Sequence, residues 1–268
     1  MTTPAGDAAA IIRARCQIDS VESAIILGPI FYGAADLGER VAAIPYAELP
    51  GFPTGAGLED GELIVTSIEG ALTAVLKGRS TFYDTGDPSL MAGPIETLTL
   101  LGARSLLCTG LALSVQADLL PGNLVAVTDH INFTGLNPLI GAPSGGKSIV
   151  NMNEAYERRL IRRMKTAAAA SGVSMHEGVM IWFSGPSFET PAEAKMARLL
   201  GAEILGWTIV PECILARRYG LPFAGLAVVT DFAAGFSSGN PNPDFTRGPA
   251  AAGVVAAKRL IRGFSKAR

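Results

Sequence analysis

The stretch FSGPSFETPAEA, Phe183 to Ala194, holds a strand end, a turn and a helix start in a single run. Val179 to Phe183 is a short apolar segment that stops at Ser184-Gly185-Pro186, the pattern of a buried strand closed by turn residues. Thr190-Pro191-Ala192-Glu193 then opens a helix. The threonine caps the first turn, the proline takes the first helical position, and the glutamate three residues after the cap reaches back to its main-chain N–H. Gly201 ends that helix. Glu189 sits just before the cap, where the helix macrodipole favours an ionised carboxylate.

The same strand–turn–helix grammar recurs on both sides. Strands are predicted at Ser23–Leu27, Glu62–Ile68, Leu72–Leu76, Ser105–Thr109, Asn123–Thr128, Val179–Phe183, Glu203–Leu205 and Phe223–Thr230. Glu69-Gly70 between the second and third reads as a hairpin turn, so the sheet is expected to be mixed. Helices are predicted over Pro94–Leu101, Asn153–Ala170, Thr190 to Gly201, Pro211–Tyr219 and Pro249–Phe264, with an N-terminal helix or extension over about residues 1–20. In the second of these, Tyr156, Leu160, Met164 and Ala167/Ala168 share one face at helical spacing. The expected architecture is a three-layer α/β/α fold around a central mixed sheet. Length alone permits one domain or two. No repeat or linker divides the chain, so a single domain over residues 1–268 is expected. Ser237–Pro243 reads equally as a mobile loop or a long turn. Pro143–Ser148 (PSGGKS) looks like part of a P-loop, but the spacing GxxxxGK(S/T) reads as unsatisfied and no strand runs directly into it, so nucleotide binding is not expected there.

Composition narrows the function. Hydrophobic residues make up 49% and charged residues 17%, enough for a sizeable core. The net charge of −2 gives no basic field for nucleic acid or an anionic membrane. Arg158, Arg159, Arg162, Arg163 and Lys165 form the one basic cluster and read as the solvated face of a helix. Cys16, Cys108 and Cys213 are odd in number, widely spaced and without metal-ligand spacing, which fits a reducing cytosol with Cys108 and Cys213 packed as small hydrophobes. His130 and His176 are the only histidines, too few for a His-rich metal site. The N-terminus has no basic-then-apolar leader, and no apolar run is long enough to span a membrane. A cytoplasmic protein is expected.

In open α/β sheets, ligands collect beyond the carboxyl ends of the strands. Those ends carry Gly28-Pro29, Arg79, Thr109-Gly110-Leu111, Ser184 to Glu189, Trp207-Thr208 and Thr230-Asp231. One arginine, several hydroxyls, two carboxylates and aromatic rings suit an anion plus a flat heterocycle. Many α/β enzymes would give such a set.

Four motifs narrow it. GPSFET within residues 183–194, LGAEILGWTIVPECILARRYGL from Leu200 to Leu221, TDHINFTGLNPLIG from Thr128 to Gly141 and IPYAELPGFP from Ile44 to Pro53 together resemble the trimeric purine nucleoside phosphorylase family, in order, over roughly residues 23 to 264. The resemblance implies a pentosyltransferase: phosphate-dependent cleavage of the N-glycosidic bond of a purine nucleoside to free base and ribose 1-phosphate. It also implies a homotrimer with no metal or organic cofactor, phosphate being a co-substrate. It makes Glu189 the acceptor for the purine N1–H edge, with Phe188, Leu111, Thr230 and Asp231 around the base. Tyr83, Trp207 and, from a neighbouring subunit, Ile149 fall to the sugar; Arg79, Thr81 and Thr208 fall to phosphate. Asp231 and Glu189 are the expected catalytic pair, Asp231 serving as the N7 partner. That chemistry needs a proton or hydrogen bond at the departing base and an anion held for attack at C1′.

The chain departs from the family at several of these positions. Pro29, which lacks even an N–H, stands where a phosphate-binding serine is usual, and Thr81 replaces a histidine. Leucines enter the segment Thr109 to Ser114, and Thr208 keeps the hydroxyl of a usual serine. Asp231 takes the place of an asparagine found in relatives acting on 6-oxopurines, and resembles the aspartate of methylthioadenosine phosphorylases. Trp207 replaces a methionine and Ile149 a phenylalanine, which points to a reshaped, more apolar 5′ region. Three alternatives therefore stay open beside phosphorolysis: an enzyme of the same scaffold using water or another acceptor, a methylthioadenosine phosphorylase-like preference for 6-aminopurines, and a weakly active purine-binding homologue.

Overall fold

A computed structural model describes residues 3–55, 58, 60–68, 70–141, 149–237, 239, 241 and 248–266. Glu69 of the expected hairpin turn, all of Pro143–Ser148 and most of Ser237–Pro243 lie outside the described residues.

The chain opens with helix α1 (Pro4–Cys16), capped by Thr3, whose Oγ1 accepts the Gly6 N–H at 3.1 Å. Strand β1 (Ser23–Leu27) follows, then β2 (Glu39–Pro45), β3 (Glu62–Ile68) and β4 (Ala71–Lys77). A short helix α2 (Phe82–Thr85) leads to α3 (Ala92–Leu100), β5 (Leu106–Ser114) and β6 (Leu124–Asn132). The second half runs α4 (Arg158–Ala170), β7 (Met175–Trp182), α5 (Pro191–Leu199), β8 (Ile204–Gly206), α6 (Val210–Tyr219), β9 (Phe223–Phe232) and α7 (Gly248–Lys266).

The expected mixed sheet is present, with nine strands in the order β2-β3-β4-β1-β5-β8-β7-β6-β9 and a further parallel pairing of β5 with β9. Helices surround it: α1 packs on α3 and α3 on α6, while α4 packs on α7. The central strands are buried on both faces, so they read as unbroken apolar runs. Ala24, Ile25, Ile26 and Leu27 of β1 are each 0% exposed. Each large side chain so buried contributes about 1.5–3 kcal/mol. Cys108 and Cys213 are buried among such side chains as free thiols.

Four departures from the sequence reading have physical causes. Strand β2 was not expected: it is an edge strand whose residues are largely exposed, so it lacks a periodic apolar signal. Helix α4 begins at Arg158 rather than Asn153, because Glu157 caps it by accepting the Arg159 N–H at 3.3 Å. Strands β5, β6 and β9 run past the polar residues that looked like their ends. Arg163, placed with its neighbours on a solvated face, is instead half-buried, with its guanidinium 4.6 Å from the Phe264 ring centre. The spacing from Gly141 to Ser148 in fact satisfies GxxxxGK(S/T), contrary to the reading above, but β6 ends at Asn132 and, among the described residues, the next helix starts at Arg158, so the strand–loop–helix flanks of a P-loop are not found there. Among the described residues no helix is long and apolar enough to cross a membrane.

Strand β5 organises the site. Its first three residues, Leu106 to Cys108, pair with Ala24 to Ile26 of β1, and its last two residues pair on the β8 side, Leu113 with Leu205 and Ser114 with Ile204. Strands β1 and β8 thus diverge along β5 and leave a fork at residues 109–112. Strand β9 pairs with β5 throughout.

Candidate active site

A cleft of about 270 Å³ opens at this fork, near the lower end of the size usual for small-molecule sites. Most of its wall is apolar. Arg79, Tyr83, Leu111, Phe188, Glu189, Trp207, Thr208 and Thr230 all line it, residues brought from five separate stretches of the chain. Gly28, Pro29, Ile30 and Phe31 close the side next to β1, and Gly110, Ala112, Leu113, Leu205 and Gly206 form the floor.

Arg79 follows β4 and is buried, its side chain 3% exposed. Its Nε lies 3.4 Å from Oε1 of Glu212, itself 3% exposed, at the first turn of α6. Its Nη1 donates to the Thr109 carbonyl at 3.0 Å and to the Cys108 sulfur at 3.3 Å. Nη2 donates to no described residue and lies beside Gly28, where a Cβ would stand 3.4 Å from it. Burial works against the charge on Arg79, but Glu212, Cys108 and Tyr83 outweigh it, so the guanidinium is held more firmly protonated than usual. Burial likewise pushes the Cys108 thiol far up, which keeps it neutral.

Thr109 bridges the fork. Its hydroxyl donates to Ile26 O at 3.1 Å and accepts the Gly28 N–H at 3.0 Å. On the other side, Thr208 reaches the cleft from a strained backbone. Ile209, a β-branched residue, sits at φ 77° and ψ −45°, a conformation that persists only when the surroundings enforce it. Gly110 makes room: a Cβ there would come within 2.8 Å of Ile209 and 2.9 Å of the Thr208 hydroxyl.

Glu189 is held on the opposite wall. The capping box predicted at Thr190 is present, with Thr190 Oγ1 accepting the Glu193 N–H at 3.3 Å and Glu193 Oε2 accepting the Thr190 N–H at 2.7 Å. This fixes the preceding residue. Glu189 is 6% exposed; its Oε1 accepts the Trp207 indole N–H at 2.9 Å, while Oε2 is buried with no hydrogen-bond partner among the described residues. Burial pushes its carboxyl upward, against the pull of the indole bond. Around it stand three rings: Trp207 meets Tyr83 edge-on with centroids 5.7 Å apart, and Phe188 at 5.4 Å and 41°. Gly185, at φ 64°, allows this packing, since a Cβ there would lie 2.9 Å from the indole.

Three expected site residues lie off this wall. Thr81 is buried, and its hydroxyl donates to the Asp84 carboxylate instead of facing the cleft. Asp231 adjoins the lining residue Thr230, pairs in register with Leu113, and accepts the Phe232 N–H at 2.8 Å. Ile149 is 91% exposed and lines a separate hollow with His130, Asn137 and Met152. Conversely, the sequence reading passed over Ile30, Phe31 and Glu212. The first two follow a recognised strand end and were within reach; the buried carboxylate of Glu212 had no sequence signal beyond its place beside Pro211.

A cleft at the fork of a mixed sheet, with a buried cation on one wall and an unsatisfied carboxylate among aromatic rings on the other, suits an enzyme that handles an anion and a heterocycle. The sequence pattern that defines the Phosphorylase superfamily matches residues 23–266. The chain is 36% identical over 220 residues to purine nucleoside phosphorylase 1 of Geobacillus stearothermophilus, covering 81% of this chain and 80% of the relative. It is 37% identical over 233 residues to the purine nucleoside phosphorylase of Mycobacterium leprae, covering 86% and 83%. The crystal structure of isoform 2 of the Schistosoma mansoni purine nucleoside phosphorylase, in complex with cytosine and ribose-1-phosphate, superposes with a TM-score of 0.87 at 26% identity, covering 98% of both chains. The chain belongs to the purine nucleoside phosphorylase family.

Proposed function

We propose that this protein is a purine nucleoside phosphorylase, a pentosyltransferase that uses phosphate to break the bond between C1′ and the base and yields the free purine and a pentose 1-phosphate. The observation that carries the reading is the buried, unpartnered Oε2 of Glu189 among Phe188, Trp207 and Tyr83. A desolvated carboxylate oxygen without a donor costs about 1–3 kcal/mol or more, and the N1–H of a purine would relieve it. Arg79 is the phosphate anchor, presenting Nη2, with Thr208 as a second donor. Phe188 packs on the base beside Leu111 and Thr230, and Tyr83 and Trp207 border the sugar. Asp231 is the N7 partner at the edge of the site. Phosphate attacks C1′ as the base departs, and the hydrogen bonds to the base stabilise the charge it gains.

Similarity to the family supports a homotrimer, with Ile149 of a neighbouring subunit closing the 5′ side. The same similarity supports one catalytic domain, a cytoplasmic location and no organic cofactor. One observation favours a second acceptor. Thr81 is engaged with Asp84 and Pro29 offers no N–H, so side-chain donors for phosphate are fewer than in the family, which leaves water as the competing nucleophile.

The test is base release from inosine, guanosine, adenosine and methylthioadenosine, each with and without phosphate. Release that depends on phosphate is expected. Equal rates without phosphate would assign the reaction to water, and binding without release would leave a purine-binding protein. Asp231→Ala is expected to slow release sharply, and normal turnover would remove Asp231 from the mechanism.

A further inference from the structure

Glu189 does not meet a ligand with both its oxygens. Oε1 is taken by the Trp207 indole N–H at 2.9 Å, and only Oε2 is left unpartnered in a residue 6% exposed. Trp207 cannot easily swing away to release it. Its ring is wedged between Tyr83 and Phe188 and backed by Gly185, whose missing Cβ the indole nearly occupies.

The number of free oxygens sets how many donors a base can present. A hypoxanthine-type purine offers one N–H on this edge, at N1. A guanine-type purine offers two side by side, at N1 and the 2-amino group, and satisfies both only against a complete carboxylate fork. Against Glu189 as Trp207 holds it, the 2-amino group would be buried beside an oxygen already bonded. A polar group left unmatched in a dry site is what gives hydrogen-bonding sites their sharpest discrimination.

We infer that Trp207 is a specificity-determining residue that, by occupying one oxygen of Glu189, makes the site selective for purine nucleosides without a 2-amino group. The inference rests on the proposed placement of the purine N1 edge against Glu189. Trp207 acts through Glu189 and in this respect is a positioning residue.

The experiment compares kcat/KM for inosine and guanosine, which differ only in the 2-amino group, in the wild-type protein and in Trp207→Phe, which keeps an aromatic ring and removes the donor. The wild type should favour inosine by roughly ten- to a hundredfold, the range expected for one hydrogen bond to a charged group. Trp207→Phe should shrink or reverse that ratio. A lost packing contact would slow both nucleosides alike and leave the ratio unchanged, which would overturn the inference. A wild type that cleaves guanosine as well as inosine would overturn it without any variant, so the test survives a Trp207→Phe protein that fails to fold. Should neither nucleoside be cleaved, and adenosine and methylthioadenosine likewise not, the phosphorylase reading falls by itself. Equilibrium binding of hypoxanthine and guanine to the wild type then decides: tighter hypoxanthine supports the role of Trp207, and equal or tighter guanine refutes it.

Discussion

Arg79 and Glu212 meet inside the protein with 3.4 Å between Nε and Oε1, each side chain 3% exposed. The pair is incompletely satisfied, since both Nε and the other Glu212 oxygen lack hydrogen-bond partners among the described residues. Removing one member of such a pair strands a buried charge and costs about 3–5 kcal/mol, whereas replacing both with apolar side chains can be neutral. Glu212→Ala should therefore unfold at markedly lower denaturant. Arg79→Met combined with Glu212→Leu should recover much of that stability and none of the activity. Urea titrations of the two proteins check this.

Arg79 should be the main determinant of phosphate binding. Arg79→Met is expected to raise KM for phosphate at least about tenfold, the worth of one charge-assisted bond, and to leave nucleoside binding in phosphate-free buffer far less changed. Steady-state kinetics varying each substrate in turn would separate the two. A loss falling on the nucleoside would move the anion subsite elsewhere.

The raised carboxyl of Glu189 has opposite consequences for activity and stability. Its oxygen must be ionised to accept a purine N–H, so cleavage of inosine should fall on acidification at a higher pH than an ordinary carboxylate would give. For stability, a folded-state pKa above the unfolded one means that the folded protein holds more protons in the window between them. Stability therefore declines as pH rises through that window. Glu189→Gln, which carries no charge, should melt above the wild type at neutral pH, and the gap should close as pH drops below the carboxylate range. Melting curves across pH, beside the activity profile, read both signs.

Gly185 is where the aromatic wall is most easily broken. At φ 64°, with a Cβ that would stand 2.9 Å from the indole, Gly185→Ala combines backbone strain with displacement of Trp207. A left-handed conformation costs a non-glycine residue about 1–2 kcal/mol before any clash. Expected are that loss of stability, a changed tryptophan emission and a larger loss of activity. Unchanged emission would mean that the ring has room not evident in the fold.

Much of this site was legible in the sequence because local chemistry writes itself into short stretches. Strands β1 and β3 begin and end at the predicted residues, and the capping box at Thr190 marked both a helix start and the position of Glu189. Legibility failed where pairing continues past polar residues. Thr109-Gly110 and Thr128-Asp129 look like strand ends, yet β5 and β6 run on through irregularities between Ala112 and Leu113 and between Val127 and Asp129, and such bulges depend on the partner strand. Contacts between distant segments were equally hidden. No local pattern announces that Trp207 will bond to Glu189, or that Glu212 will turn inward to Arg79 from a helix start, where carboxylates usually face water.

The parting of β1 from β8 along β5 also bears on how such a protein can change over generations. An opening made by the course of the main chain survives almost any exchange of side chains at its rim. Proline at 29 or tryptophan at 207 can then alter what is admitted while leaving the doorway in place. A lineage built this way can drift in diet without rebuilding its house.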